Sequence, residues 1–323
     1  MHRKTSTPVE EANAPLPKPV ADYLDHLRTG RQLSATTLRT YRSDFDTLLA
    51  VAARAKLPDL ERLAQRDVRA LAAQLRSRDL APRTIGRMLS VLRGYFAWRV
   101  KFHGLAENPA LQVRAPKADK RLPKALPVDA ALALMQAPHD DSAAGLRNAA
   151  MAELMYGSGL RISELIGLDV TASKQALGWI DAGQAEVTVT GKGNKRRTVP
   201  VGNAALQAVR AWLAVRGNLA KPDEAALFVG ARGQRIGATT VREALKAQAR
   251  AAGSAVHVHP HMLRHSFASH VLQSSQDLRA VQELMGHASI AATQVYTQLD
   301  FQHLAKVYDA AHPRAKKRAA EGK

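Results

Sequence analysis

The sequence predicts a mainly α protein in two parts. A four-helix N-terminal domain comes first, and an α+β domain with one small antiparallel β-sheet follows. Three observations carry this. Apolar residues recur at three- and four-residue steps from Val20 to Val100, the period of a helix face. A proline- and cation-rich break then runs over residues 108–124. Beyond it, alternation of outward and inward residues interrupts the helical pattern once, around residues 186–201, on either side of a Gly-Lys-Gly turn.

Taken in order, residues 1–17 are polar and proline-containing and are expected to form a flexible tail. Residues 18–107 hold the bundle. Tyr23, Leu24 and Leu27 mark the first helix, and Ser34-Ala35-Thr36-Thr37 opens a second, continued by Leu38, Tyr41, Phe45, Leu48 and Leu49. A third runs near Asp67–Arg78, and a fourth from Pro82 through Ile85, Leu89, Leu92, Phe96 and Val100. Pro109, Pro116 and Pro123 then interleave with Arg114, Lys117, Lys120, Arg121 and Lys124, which reads as a basic interdomain linker over 108–124. Residues 125–312 form the second domain, and 313–323 a basic tail. Within that domain Glu186–Thr190 and Arg196–Val201 are two strands of a hairpin, with Gly191–Lys195 as the turn and Lys192 at its tip.

The chain of 323 residues carries 47 Lys and Arg against 28 Asp and Glu, a formal charge of +19. Residues 1–115 hold 20 basic against 11 acidic residues, and the remainder 27 against 17, so both halves are basic. That distribution suits a clamp around a polyanion better than a basic tail on a neutral enzyme. There is no cysteine, which excludes disulfides, cysteine-based zinc modules and thiol nucleophiles. No apolar leader or membrane-length apolar run is visible, so a soluble cytoplasmic protein without membrane insertion is expected.

The segment from His257 to Thr297 is the richest in chemistry. Pro260 suits the first position of a helix with His259 before it, and His261 and Arg264 then share a face near an end that already favours an anion. Gly286 would end a later helix, His287 lies in the turn after it, and Ser289 would cap a helix carrying Tyr296. A metal site among His257, His259, His261, His265 and His270 is the competing reading; no glutamate or cysteine lies nearby to complete it, and Arg264 would put a cation beside the metal. His265 is instead expected to be a buried structural histidine. Charge alone leaves open which of Lys192, Lys195, Arg196 and Arg197 has a chemical role.

The pattern His261-x-x-Arg264-His265, then Leu284-Met285-Gly286-His287, then Tyr296, resembles the tyrosine recombinase (phage integrase) family. The match extends to Gly157-Ser158-Gly159-Leu160-Arg161-Ile162-Ser163-Glu164-Leu165 and to Thr190-Gly191-Lys192-Gly193-Asn194-Lys195, and the run from Thr297 to Ala315 is similar to the XerC subfamily. The resemblance implies a SAM-like core-binding domain followed by a tyrosine-recombinase catalytic domain. It implies six catalytic residues: Arg161 and Arg264 on the phosphate oxygens, His261 as general base and later acid, Lys192 as the acid for the leaving oxygen, His287 as a donor to the phosphate, and Tyr296 as nucleophile. Arginine suits the first role because its planar fork holds two oxygens, and tyrosine needs a base because its phenol is almost wholly protonated at neutral pH.

The reaction implied is metal-free strand exchange with no cofactor, through a 3′-phosphotyrosyl ester that conserves the energy of the broken strand. The implied partners are double-stranded DNA at a dif-type site, an XerD-type recombinase in a heterotetramer on two duplexes, and an FtsK-type translocase as regulator. The end of the chain, Asp300–Ala311 with Phe301, Leu304, Val307 and Tyr308 as its stripe, would dock in cis or on a neighbour. A mobile-element integrase, a relaxing enzyme like a type IB topoisomerase, and a DNA-binding protein with an inert site are the alternatives. The segment Thr171–Ala185 departs from the family pattern by its length.

Overall fold

The computed structural model describes residues 15–117, 125–191, 195–286 and 298–314, and of 298–303 the backbone alone. The chain divides into two compact units, Met1–Lys120 and Arg121–Lys323.

The first unit is a bundle of α1 (Lys18–Thr29), α2 (Ala35–Arg54), α3 (Gln65–Ser77) and α4 (Pro82–Phe102), with a 3₁₀ turn at Leu60–Arg62. The sequence places the helix starts well. The Ser34 hydroxyl accepts the Thr37 N–H at 3.3 Å, and Pro82 occupies the first turn of α4, where a missing N–H costs nothing. The three- and four-residue spacing closes on one core of Phe45, Leu48, Leu71, Leu75, Ile85 and Leu89. Tyr23, Phe45 and Tyr95 meet there edge to face. The beginning of the proline- and cation-rich stretch belongs to this bundle. Ala110 and Val113 are buried in it, and the Arg93 guanidinium donates to the carbonyls of Ala110 and Val113 at 3.2 and 2.8 Å. Lys120, Arg121 and Lys124 lie outside the described residues.

The second unit contains α5 (Val128–Met135), α6 (Ala143–Gly157), α7 (Ile162–Ile166), β1 (Leu168–Asp169), β2 (Gly178–Asp181), β3 (Glu186–Thr190), β4 (Arg196–Pro200), α8 (Asn203–Arg216), α9 (Ala238–Ala251), α10 (Pro260–Ser275), α11 (Leu278–Met285) and α12 (Gln298–Ala311). Helix α6 is buried along Ala150–Gly157 and serves as the centre of the core.

The hairpin β3–β4 forms where the alternation put it, but it is not the whole sheet. Four strands run in the order β1-β2-β3-β4, and β1 pairs parallel to β2, so the expected antiparallel sheet is mixed at one edge. The long segment Thr171–Ala185 supplies β2. Gly178 makes that pairing possible, because a Cβ there would stand 2.5 Å from the Thr188 carbonyl oxygen. On the inner face of the hairpin Val187, Val189 and Val199 are buried, and Arg197 lies in the same row opposite Val189.

Helix α12 packs against α10 of its own unit, with Leu304 and Tyr308 buried.

Candidate active site

The Gly157–Gly159 turn ends α6 and aims Arg161. Gly159 has φ +59°, and a Cβ on it would stand 2.4 Å from the Phe267 ring, so both the backbone and the packing require glycine. Ser158 donates to the Pro200 carbonyl at 3.0 Å, tying the turn to the end of β4. Arg161 then caps α7. Its backbone N–H donates to one oxygen of Glu164 at 2.7 Å, and its guanidinium donates to the other at 2.7 Å.

Glu164 organises the site. Its side chain is 2% exposed, and its two oxygens also accept from the two terminal nitrogens of Arg197, end-on, at 2.7 and 2.9 Å. The guanidinium of Arg264 comes within 3.7 Å of the same carboxylate. Burial pushes the Glu164 carboxyl up, but the hydrogen bonds and charge of Arg197, then the backbone and side-chain hydrogen bonds of Arg161, outweigh it and leave the group below the usual range. Glu164 is ionised at neutral pH.

Arg264 projects from α10 into the core and donates to the carbonyls of Gly159 and Met285. Burial, and behind it the charge of Arg161, hold it down to about 9 against the opposite pull of Glu164. It stays protonated at pH 7. Three guanidiniums thus share one carboxylate, leaving a local surplus of positive charge. Arg161, at 31% exposure, is the most open of the three, against 6% for Arg197 and 7% for Arg264. Such a cluster lacks an anion, and a phosphate group supplies one with matching oxygens.

Helix α10 begins where Pro260 placed it. The His259 Nδ1 accepts the Met262 N–H at 3.2 Å, which requires a neutral ring. Burial lowers the His259 pKa, helped by His261 and His257. His261 is exposed on the first turn, three residues from Arg264 on the same face. The structure therefore brings Arg161 and Arg264 together around Glu164 and sets His261 one helical step away. Lys192, His287 and Tyr296 lie outside the described residues.

The residues just before Lys192 and His287 are described. Gly191 closes the hairpin neck, its N–H donating to the Lys195 carbonyl at 2.8 Å. Gly286 ends α11 at φ +60°. Among the other hairpin cations, Arg196 lies over the Trp179 ring at 5.5 Å, Lys195 is exposed, and Arg197 is buried with its donors engaged. Burial and pairing remove Arg197 from the candidate proton donors.

The buried structural histidine is His270, not the half-buried His265. His270 bonds the Tyr156 hydroxyl through Nδ1 at 2.9 Å and the Leu126 carbonyl through Nε2 at 2.8 Å. Among the described residues, no three His, Asp or Glu side chains gather as a metal site would require. No helix among them is long and apolar enough to cross a membrane.

Sequence reasoning missed the roles of Glu164 and Arg197. The available signal was Arg197's position: a charged residue on the inward row of a strand whose neighbours in that row are valines. In the N-terminal unit Thr36, Arg39, Thr40 and Ser43 stand at helical spacing on α2 and line a polar cleft with Asp44 and Arg87.

Residues 124–303 match the model of the phage integrase family, and residues 20–102 match its N-terminal SAM-like domain. The chain is 51% identical over 327 residues to tyrosine recombinase XerC 1 of Ralstonia nicotianae, covering 97% of this chain and 99% of the relative. It is 47% identical over 299 residues to tyrosine recombinase XerC of Pseudomonas aeruginosa, covering 92% and 95%. Among solved structures, the XerH site-specific recombinase bound to a palindromic difH substrate in a post-cleavage complex aligns with a TM-score of 0.63 at 19% identity, over 90% of this chain and 84% of that one. That last likeness is one of fold.

Proposed function

The chain belongs to the phage integrase family of tyrosine recombinases, in its XerC subfamily, and from that premise we propose how it works and on what. It cuts and rejoins double-stranded DNA at a dif-type site, together with an XerD-type partner in a heterotetramer on two duplexes. The outcome is resolution of chromosome dimers in the cytoplasm at cell division, with an FtsK-type translocase controlling the partner.

The observation that carries this reading is the buried cluster of Arg161, Arg197 and Arg264 on the single carboxylate of Glu164. A phosphodiester under in-line attack gains charge on its non-bridging oxygens, and this cluster is short of negative charge. Arg161 and Arg264 take those oxygens. Each contributes as an oxyanion-hole donor does, on the order of a hundred- to a thousand-fold in rate. His261, exposed at the start of α10, accepts the phenolic proton as Tyr296 attacks, the general-base role that histidine takes most often. Lys192 on the hairpin tip protonates the leaving 5′ oxygen, and His287 donates to the phosphate. The phosphotyrosyl ester holds the strand until a 5′-hydroxyl of the other duplex displaces the tyrosine. One ester replaces another, so the step needs neither metal nor nucleotide. The hydroxyls and arginine along α2, with Arg87 from α4, suit contacts to the DNA backbone.

The test is a supercoiled plasmid bearing two directly repeated dif-type sites, incubated in chelator with the purified chain and an XerD-type partner. Holliday junctions and deletion circles that need both proteins and intact sites are expected. Recombination only at the ends of a mobile element would favour an integrase of the same family. DNA binding with no strand exchange at any site would favour an inert binding protein.

A further inference from the structure

Arg197 stands on the core face of β4, opposite Val189, in a row otherwise made of valines. An arginine there must have its donors met, because unpaired buried charge is costly. It meets them by joining three parts of the catalytic unit. Its two terminal nitrogens hold both oxygens of Glu164 at 2.7 and 2.9 Å, the carboxylate that also binds the backbone and side chain of Arg161. Its Nε donates at 3.1 Å to the Leu284 carbonyl in the last turn of α11. A Cβ on Gly286 would fall 2.9 Å from the Arg197 Cδ and 3.2 Å from its Nε, so the turn closes directly over the guanidinium. A Cβ on Gly191, at the hairpin neck, would lie 3.6 Å from its Nη1. Gly191 directly precedes Lys192, and Gly286 directly precedes His287.

We propose that Arg197 is a positioning residue for strand cleavage: it locks the hairpin neck to the Glu164–Arg161 pair, and so presents Lys192 to the leaving oxygen of the phosphate that Arg161 holds. The proposal rests on the reading of Lys192 as the acid. A guanidinium is required because a lysine ammonium cannot span both Glu164 oxygens and the Leu284 carbonyl at once. A purely structural ion pair would support folding without favouring one chemical step over another.

The leaving group separates these two roles. A 5′-bridging sulfur at the scissile phosphate departs as a thiolate, whose conjugate acid has a pKa of about 8.5 rather than that of an alcohol, so its departure needs no acid. The experiment uses the full chain with its partner on nicked suicide duplexes carrying either oxygen or sulfur at that position. It compares wild type, Arg197→Lys, Arg197→Gln and Lys192→Ala, with thermal melting and DNA affinity measured for each.

Arg197→Lys is expected to bind DNA within about threefold of wild type and to cleave the oxygen substrate about a hundredfold more slowly, the scale of a misplaced catalytic group. The sulfur substrate should recover at least tenfold of that loss, roughly in parallel with Lys192→Ala. Equal loss on oxygen and sulfur, or wild-type cleavage of both, would overturn the proposal. Should Arg197→Lys fail to fold, Arg197→Gln takes its place with the same expectations; loss of fold in both would make Arg197 a folding residue only. If Lys192→Ala is not rescued by sulfur, the acid assignment falls first and the proposal with it.

Discussion

Replacing Glu164 by glutamine keeps the shape of the side chain and removes the one negative charge facing three guanidiniums. Its two oxygens accept four hydrogen bonds, from the Arg161 N–H, the Arg161 guanidinium and both terminal nitrogens of Arg197. Glutamine keeps one accepting oxygen and turns the other into an NH₂, so at least two of those contacts become donor against donor. The Glu164 side chain is 2% exposed, so solvent screens the change only weakly, through the more open Arg161. Removing one partner of such a pair costs about 3–5 kcal/mol, mostly from leaving the other charge uncompensated. For a unit of this size each kcal/mol lowers the melting temperature by about 2–4 °C, so Glu164→Gln should lower that of the catalytic unit by about 6–20 °C. Scanning calorimetry of the full chain reads this, and the transition of the N-terminal bundle should stay in place. Cleavage measured below the new melting point should fall on the order of a hundredfold, because Arg161 loses its orientation. A melting change under about 2 °C, less than 1 kcal/mol, would refute the assignment of Glu164 as the organising carboxylate.

Two further outcomes follow from the geometry. Gly286→Ala forces a Cβ into a positive-φ position 2.9 Å from the Arg197 Cδ, so it should destabilise the unit by about 1–3 kcal/mol and slow cleavage; denaturant unfolding indistinguishable from wild type would contradict the close approach. His312 is fully buried beside Tyr308, and burial, then the charges of His270 and Arg314, pull its pKa down to about 3. Below the unfolded value of about 6.5 the unfolded chain takes up a proton that the native chain refuses, so stability falls as pH falls, by about 1.4 kcal/mol per unit until pH 3 is approached. His312→Phe should flatten the stability slope between pH 6 and pH 4.5 by about one proton, and an unchanged slope would exclude His312 as its source.

The parts of the fold that were legible share a local cause. Helix faces in residues 20–100 declare themselves through three- and four-residue spacing, and the hairpin through the alternation of Val187, Val189 and Val199. His259-Pro260 and Gly286 mark helix ends because the capping acceptor and the left-handed turn are chemically specific. What stayed hidden depends on long-range partners. The two residues of β1 have no period to detect, and the pairing of β2 shows only as a glycine that fits against the Thr188 carbonyl. Ala110 and Val113 read as linker because what holds them, the bundle core and the Arg93 guanidinium on their carbonyls, lies elsewhere in the chain. In the site, Arg161 and Arg264 stood out through their motifs, whereas Arg197 looked like one more cation in Lys195-Arg196-Arg197. Only its register opposite Val189 turns it inward to Glu164. His265 and His270 are equivalent as sequence, and contact with Tyr156 and Leu126 distinguishes them.

The most direct measurement is covalent capture. A nicked dif-type suicide duplex is incubated with the chain and its partner recombinase in chelator, and wild type is compared with Tyr296→Phe on a denaturing gel. The account predicts a protein–DNA band in wild type alone, with the DNA attached through its 3′ phosphate. A band that survives in Tyr296→Phe, or one that forms only when a divalent metal is restored, would contradict it.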